Sequence, residues 1–159
     1  MEIAVARQEF EQDSPYWSYR FIHVLERIQN GLCLEWSYRC VALLLAESGS
    51  AHREQLQCDF DRLMAWAQQL PLTPLSRNEM SRAIWYRSGR DAAQTALSHL
   101  YASYESYQRG ETGYTHTASF AISNFLWDSE WAERRDELFC VAAEVFRQIY
   151  REHCGEDPS

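Results

Sequence analysis

Apolar residues recur along most of this chain at the three- and four-residue steps of an α-helix, and alternation of the kind that marks strands is nearly absent. Ser14-Pro15 reads as an N-cap followed by an N1 proline. Beyond it, Trp17, Phe21, Val24 and Ile28 share one helical face, and Asn30-Gly31 supplies the stop. From Leu32 to Glu47 the pattern changes: residues are apolar on almost every side, with Glu35 and Arg39 as the charges before Glu47. A helix of that kind belongs in the middle of a bundle. From about Ala51 to Leu70 the pattern is amphipathic again, with Leu56, Phe60, Leu63, Ala67 and Leu70 on its stripe and Pro71 and Pro74 beyond it.

Ser76-x-x-Glu79 fits a capping box that opens a short helix to about Arg87. Asp91 then suits the first turn of a helix carrying Ala93, Leu97, Leu100 and Tyr104. After the turn Arg109-Gly110-Glu111-Thr112-Gly113, Tyr114 to Trp127 contains no charged residue and reads as another inner helix. Asp128-Ser129 caps a last long helix, Glu130 to about Glu152, with Leu138, Ala142, Val145 and Ile149 on its stripe. The pattern therefore predicts an all-α fold: one domain over residues 1–159, a bundle or orthogonal array of about seven helices. Residues 1–13 and 155–159 read as flexible ends, and 32–47, 90–108 and 114–127 as the inner layer.

Composition narrows the function. A net charge of −8 with no basic stripe argues against nucleic-acid binding, where phosphate neutralisation supplies most of the affinity. It favours a basic partner. All 15 basic residues are arginine, which removes Schiff-base, P-loop and lysine general-base chemistry. The 5 cysteines show neither a repeated spacing nor C-x-x-C, so neither a disulfide framework nor a zinc site is expected. The longest apolar run, Val41 to Ala46, is far too short to span a bilayer, and no secretory leader is visible at the start. The expectation is a cytoplasmic protein without a membrane partner.

Catalytic and metal motifs are missing. There is no G-x-S-x-G, P-loop, G-x-G-x-x-G or H-E-x-x-H. His23-x-x-Glu26 reads as an ordinary exposed pair one turn apart. No catalytic residue, metal ligand or cofactor is therefore expected. Two aromatic groups draw attention. The first is Trp127-Asp128-Ser129-Glu130-Trp131 with Glu133, where two tryptophans among carboxylates have the character of an interface hot spot for a basic protein. The second gathers His99, Tyr101, Tyr104 and His116 as a possible pocket between inner helices, Tyr107 continuing the tyrosine series.

The stretch Asp91-Ala92-Ala93-Gln94-Thr95-Ala96-Leu97, the Gly110-Glu111-Thr112 turn and the alanine-spaced helix after it resemble small all-helical bacterial proteins. In these, two Ala-rich helices flank a Gly turn, and many are toxin-immunity proteins or uncharacterised. The resemblance covers the middle third of the chain and carries over no catalytic residues. It implies a non-enzymatic protein that binds and occludes a partner. The alternatives are a small-molecule-binding or enzymatic domain built on the pocket, and an adaptor subunit of a larger assembly.

Overall fold

The computed structural model describes residues 2–47, 53–68 and 92–158. Every regular element among them is helical: α1 (Glu2–Glu11), α2 (Trp17–Ile28), α3 (Leu32–Glu47), α4 (Arg53–Ala67), α5 (Ala92–Gln108), α6 (Tyr114–Ser123), a single 3-10 turn (Asn124–Trp127), α7 (Ser129–Glu133) and α8 (Arg135–Cys154). The short helix predicted from Ser76 to Arg87, and the Asp91 helix start, lie outside the described residues. None of the described helices is long and apolar enough to cross a membrane.

The all-round apolar segment is the hub. Helix α3 touches α2, α4, α5, α6 and α8, and buries Leu32, Leu34, Trp36, Val41, Leu44 and Leu45 among them. Its polar atoms are satisfied across the helix contacts, as burial demands. The Trp36 indole N–H donates to the Ala142 carbonyl of α8 (3.0 Å), and the Ser37 hydroxyl to the Ala118 carbonyl of α6 (3.0 Å). Among the described residues, helices α5 and α6 share the most extensive contact, turning at Gly110 and tied by the Ser103 hydroxyl, which donates to the Tyr114 carbonyl (3.1 Å).

Four differences from the sequence reading bear on the site. The segment expected to be a loose N-terminus holds helix α1, docked by Ala6 and Phe10, which are buried. Phe10 packs against the rings of Trp17 (5.2 Å, edge-on) and Phe139 (5.1 Å), which anchors α1 to α2 and α8. Helix α2 begins at Trp17, two residues past the expected proline start; the Tyr16 N–H reaches the Ser14 hydroxyl instead (3.4 Å). The expected helix to Trp127 tightens into the 3-10 turn after Ser123, and the last helix is broken at Arg134 (φ −113°, ψ 31°). Finally, Glu26 is no mere exposed partner of His23. Its carboxylate accepts from the Gly31 and Cys33 N–H groups (3.1 Å each) at the start of α3, and the Tyr114 hydroxyl also donates to it. The carboxylate thus satisfies amides that the helix itself leaves unpaired.

Candidate binding cleft

The turn between α1 and α2 and the end of α6 face each other across a cavity of about 450 Å³. That volume lies within the range of roughly 300–1,000 Å³ found for ligand sites. Phe10, Asp13, Pro15, Tyr16 and Tyr19 form one wall; His116, Ser119, Phe120, Asn124 and Trp127 form the other.

Local sequence explains the first wall. Helix α1 ends with Asp13 in the left-handed region (φ 56°), the Ser14 N–H returning to the Glu9 carbonyl (2.9 Å) and the Asp13 N–H to that of Phe10 (3.1 Å). This is the Schellman arrangement, with aspartate where glycine is usual. It turns the chain sharply enough to bring Pro15 and Tyr16 over the cavity. Arg135 fixes the turn from below, donating to the Asp13 carboxylate (2.6 Å) and the Phe10 carbonyl (3.3 Å). On the second wall the Asn124 side chain donates to the Phe120 carbonyl (2.7 Å) where the α-helix passes into the 3-10 turn. The Tyr19 hydroxyl and His116 Nδ1 are hydrogen-bonded across the two walls.

The rim is what distinguishes this place. Four large apolar side chains are exposed among the described residues: Tyr16 (65%), Leu43 (48%), Phe120 (40%) and Trp127 (83%). Three of them, Tyr16, Phe120 and Trp127, border this one cavity. Phe120 and Trp127 come from α6 and the 3-10 turn that continues it, whereas Tyr16 comes from the distant α1–α2 turn, so the fold brings it to them.

The residues singled out from the sequence distribute differently. Trp127 is exposed on the rim, whereas Trp131 is 1% exposed, packed edge-on to Phe125 (6.2 Å) and covered by the Arg134 guanidinium (4.2 Å from its ring). The two tryptophans therefore do not form a common patch. Asp128 caps α7 by accepting from the Glu130 N–H (2.9 Å), Glu130 pairs with Arg134 (3.4 Å), and Glu133 stands exposed.

The second group does not assemble into a pocket between inner helices either. Tyr101 is buried against Trp66 (5.1 Å between centroids). Tyr104 is half-buried one turn further along α5, its phenol pushed up by burial and, less, by Tyr38 and Glu35 nearby. His99 lies near Phe120 (5.6 Å), its pKa lowered by burial, and only His116 lines the cavity. Tyr16, Tyr19 and Phe120 were not among the candidates, because no local motif links them. Among the described residues, no three His, Cys, Asp or Glu side chains are grouped to hold a metal ion.

Comparison of the chain with known protein families, curated proteins and solved structures gives no match. The functional reading therefore rests on the cleft itself.

Proposed function

We propose that this protein acts by binding, and that the cleft between Tyr16 and Trp127 receives a bulky apolar side chain from a protein partner. The observation that carries this is the convergence of three exposed aromatic side chains on one cavity. Apolar surface gathered in this way costs solvation free energy until something covers it. Tyrosine, tryptophan and arginine are also the residues that dominate interface energetics, and Arg135 stands at the cleft's edge. In its sharpest form the reading is an inhibitor of the immunity type, which occludes a basic site on its partner. The binding protein is then not an enzyme.

The test is affinity capture from a native lysate with the tagged wild type and with Trp127→Ala combined with Phe120→Ala. Both side chains are exposed, so the variant should melt close to the wild type. Recovery of a stoichiometric partner should fall by about tenfold or more, as for loss of a hot spot. Undiminished recovery would show that the partner binds elsewhere. A second reading, a small apolar ligand in the same cavity, is favoured by the cavity's volume. A thermal-shift screen giving a hit that Trp127→Ala abolishes, with no protein captured, would select it.

A further inference from the structure

Beside the cleft, and sharing Phe10, Asp13 and Arg135 with it, runs a second groove at the junction of α1, α7 and α8. Its walls carry the carboxylates of Glu11, Asp13, Glu133, Asp136 and Glu137 against the guanidinia of Arg134 and Arg135. Most of these acids are ion-paired: Asp136 with Arg7 (2.7 Å), Glu11 with Arg7 (2.8 Å), Glu137 with Arg134 (2.7 Å) and Asp13 with Arg135 (2.6 Å). Counted as pairs, the groove would present little field to a partner. The way the pairs are oriented says otherwise.

Each guanidinium is laid on an aromatic ring: Arg7 over Phe139 (5.1 Å), Arg134 over Trp131 (4.2 Å) and Arg135 over Phe10 (4.9 Å). Stacking of this kind holds the planar cation against the protein body. The three arginine side chains are only 28% to 38% exposed, while the four groove carboxylates they pair with, Glu11, Asp13, Asp136 and Glu137, are 57% to 81% exposed. Glu133 adds an exposed charge that joins no ion pair among the described residues. The cations thus lie in the inner layer and the anions in the outer one, so an approaching molecule meets carboxylate oxygen first.

We infer that the partner segment carries lysine or arginine within a few residues of its apolar anchor, the anchor entering the aromatic cleft and the basic side chains lying along the adjoining acidic groove. This rests on the reading of the cleft as an anchor site and adds the chemistry of what flanks the anchor. The basic groups would bond the outward carboxylate oxygens without displacing the stacked arginines. Charge complementarity of this kind speeds encounter and fixes the direction in which the segment lies.

The experiment is selection of a random dodecapeptide phage library on the full chain. Three proteins are compared: wild type, the Trp127→Ala/Phe120→Ala cleft variant, and a groove variant carrying Glu133→Gln, Asp136→Asn and Glu137→Gln. Selected peptides should combine a Phe, Trp, Leu or Met with two or more Lys or Arg within about five residues, and net acidic peptides should be depleted. A synthetic peptide of the selected sequence should bind at least tenfold more weakly to the cleft variant and about fivefold more weakly to the groove variant. Should the groove variant fail to fold, raising salt from 0.05 M to 0.5 M on the wild type should produce a similar loss through screening. Peptides that need the cleft but show no basic bias and no salt dependence would overturn this inference and leave the cleft reading standing. Peptides indifferent to the cleft variant, or no enrichment at all, would overturn both.

Discussion

Replacing Trp131 by alanine should cost this protein about 3–5 kcal/mol of stability, whereas the same change at Trp127 should cost less than about 0.5 kcal/mol. The first indole is enclosed, resting against Phe125 under the Arg134 guanidinium, and its removal leaves a cavity where α7 meets the domain. Arg134 loses the surface on which it stacks, although its pairs with Glu137 and Glu47 remain. Trp127, 83% exposed, has little protein contact to forfeit. In a domain of this size each kcal/mol shifts the melting temperature by roughly 2–4 °C. Trp131→Ala should therefore melt at least about 6 °C lower, with Trp127→Ala nearly unmoved. Capture of the partner should follow the opposite order once both proteins are compared below their melting temperatures. A stable Trp131→Ala protein that has lost its partner would mean that Trp131, and not Trp127, is the contact residue.

The next largest effect is expected at Gly31, where alanine should destabilise by about 2–3 kcal/mol in urea titration. Gly31 has φ +86°, a region in which an L-residue costs about 1–2 kcal/mol. An added Cβ would also stand 2.7 Å from Cζ of Tyr107 and 2.8 Å from its hydroxyl, so the ring must swing away. The swing sacrifices the edge-on contact of Tyr107 with Tyr114 (5.1 Å), an interaction worth about 0.5–1.5 kcal/mol. A double-mutant cycle separates the two contributions. In a Tyr107→Ala background the cost of Gly31→Ala should fall to the backbone part of about 1–2 kcal/mol. An unchanged cost would show that the ring does not confine this position. The turn matters beyond its own contacts, since the Gly31 and Cys33 amides are the donors that Glu26 gathers at the head of α3.

Helix type and the central place of α3 could be read from hydrophobic spacing because both follow from which faces must leave water. Helix α1 could not, because its docking face is little more than Ala6 and Phe10 among charged neighbours, and Phe10 earns its place only through Trp17 and Phe139. The site was harder for a geometric reason. Trp127 and Trp131 stand four residues apart, a step that puts side chains on one face of a continuous helix. The 3-10 turn and the Asp128 cap interrupt that helix between them, and one ring goes to solvent while the other goes inside. A capping aspartate was visible in the sequence; the sense in which the chain leaves the cap was not. Phe120 and Trp127 are seven residues apart in consecutive elements, but Tyr16 joins them only through the packing of α2 against α6, a long-range event that no local pattern encodes.

Because α3 is enclosed by five other helices, a thiol reagent cannot reach its two cysteines while that enclosure holds. Cys33 and Cys40 are fully buried, and burial pushes both thiols far from the ionised form that reacts. Cys58, Cys140 and Cys154 are exposed. The number of sulfurs modified in a brief pulse thus records whether the centre of the molecule has opened: 3 while α3 stays covered, 5 once it does not. Fraying of α1, which is not among the five helices around α3, leaves that number unchanged. The domain carries its own gauge of global opening, readable by intact mass without an added probe.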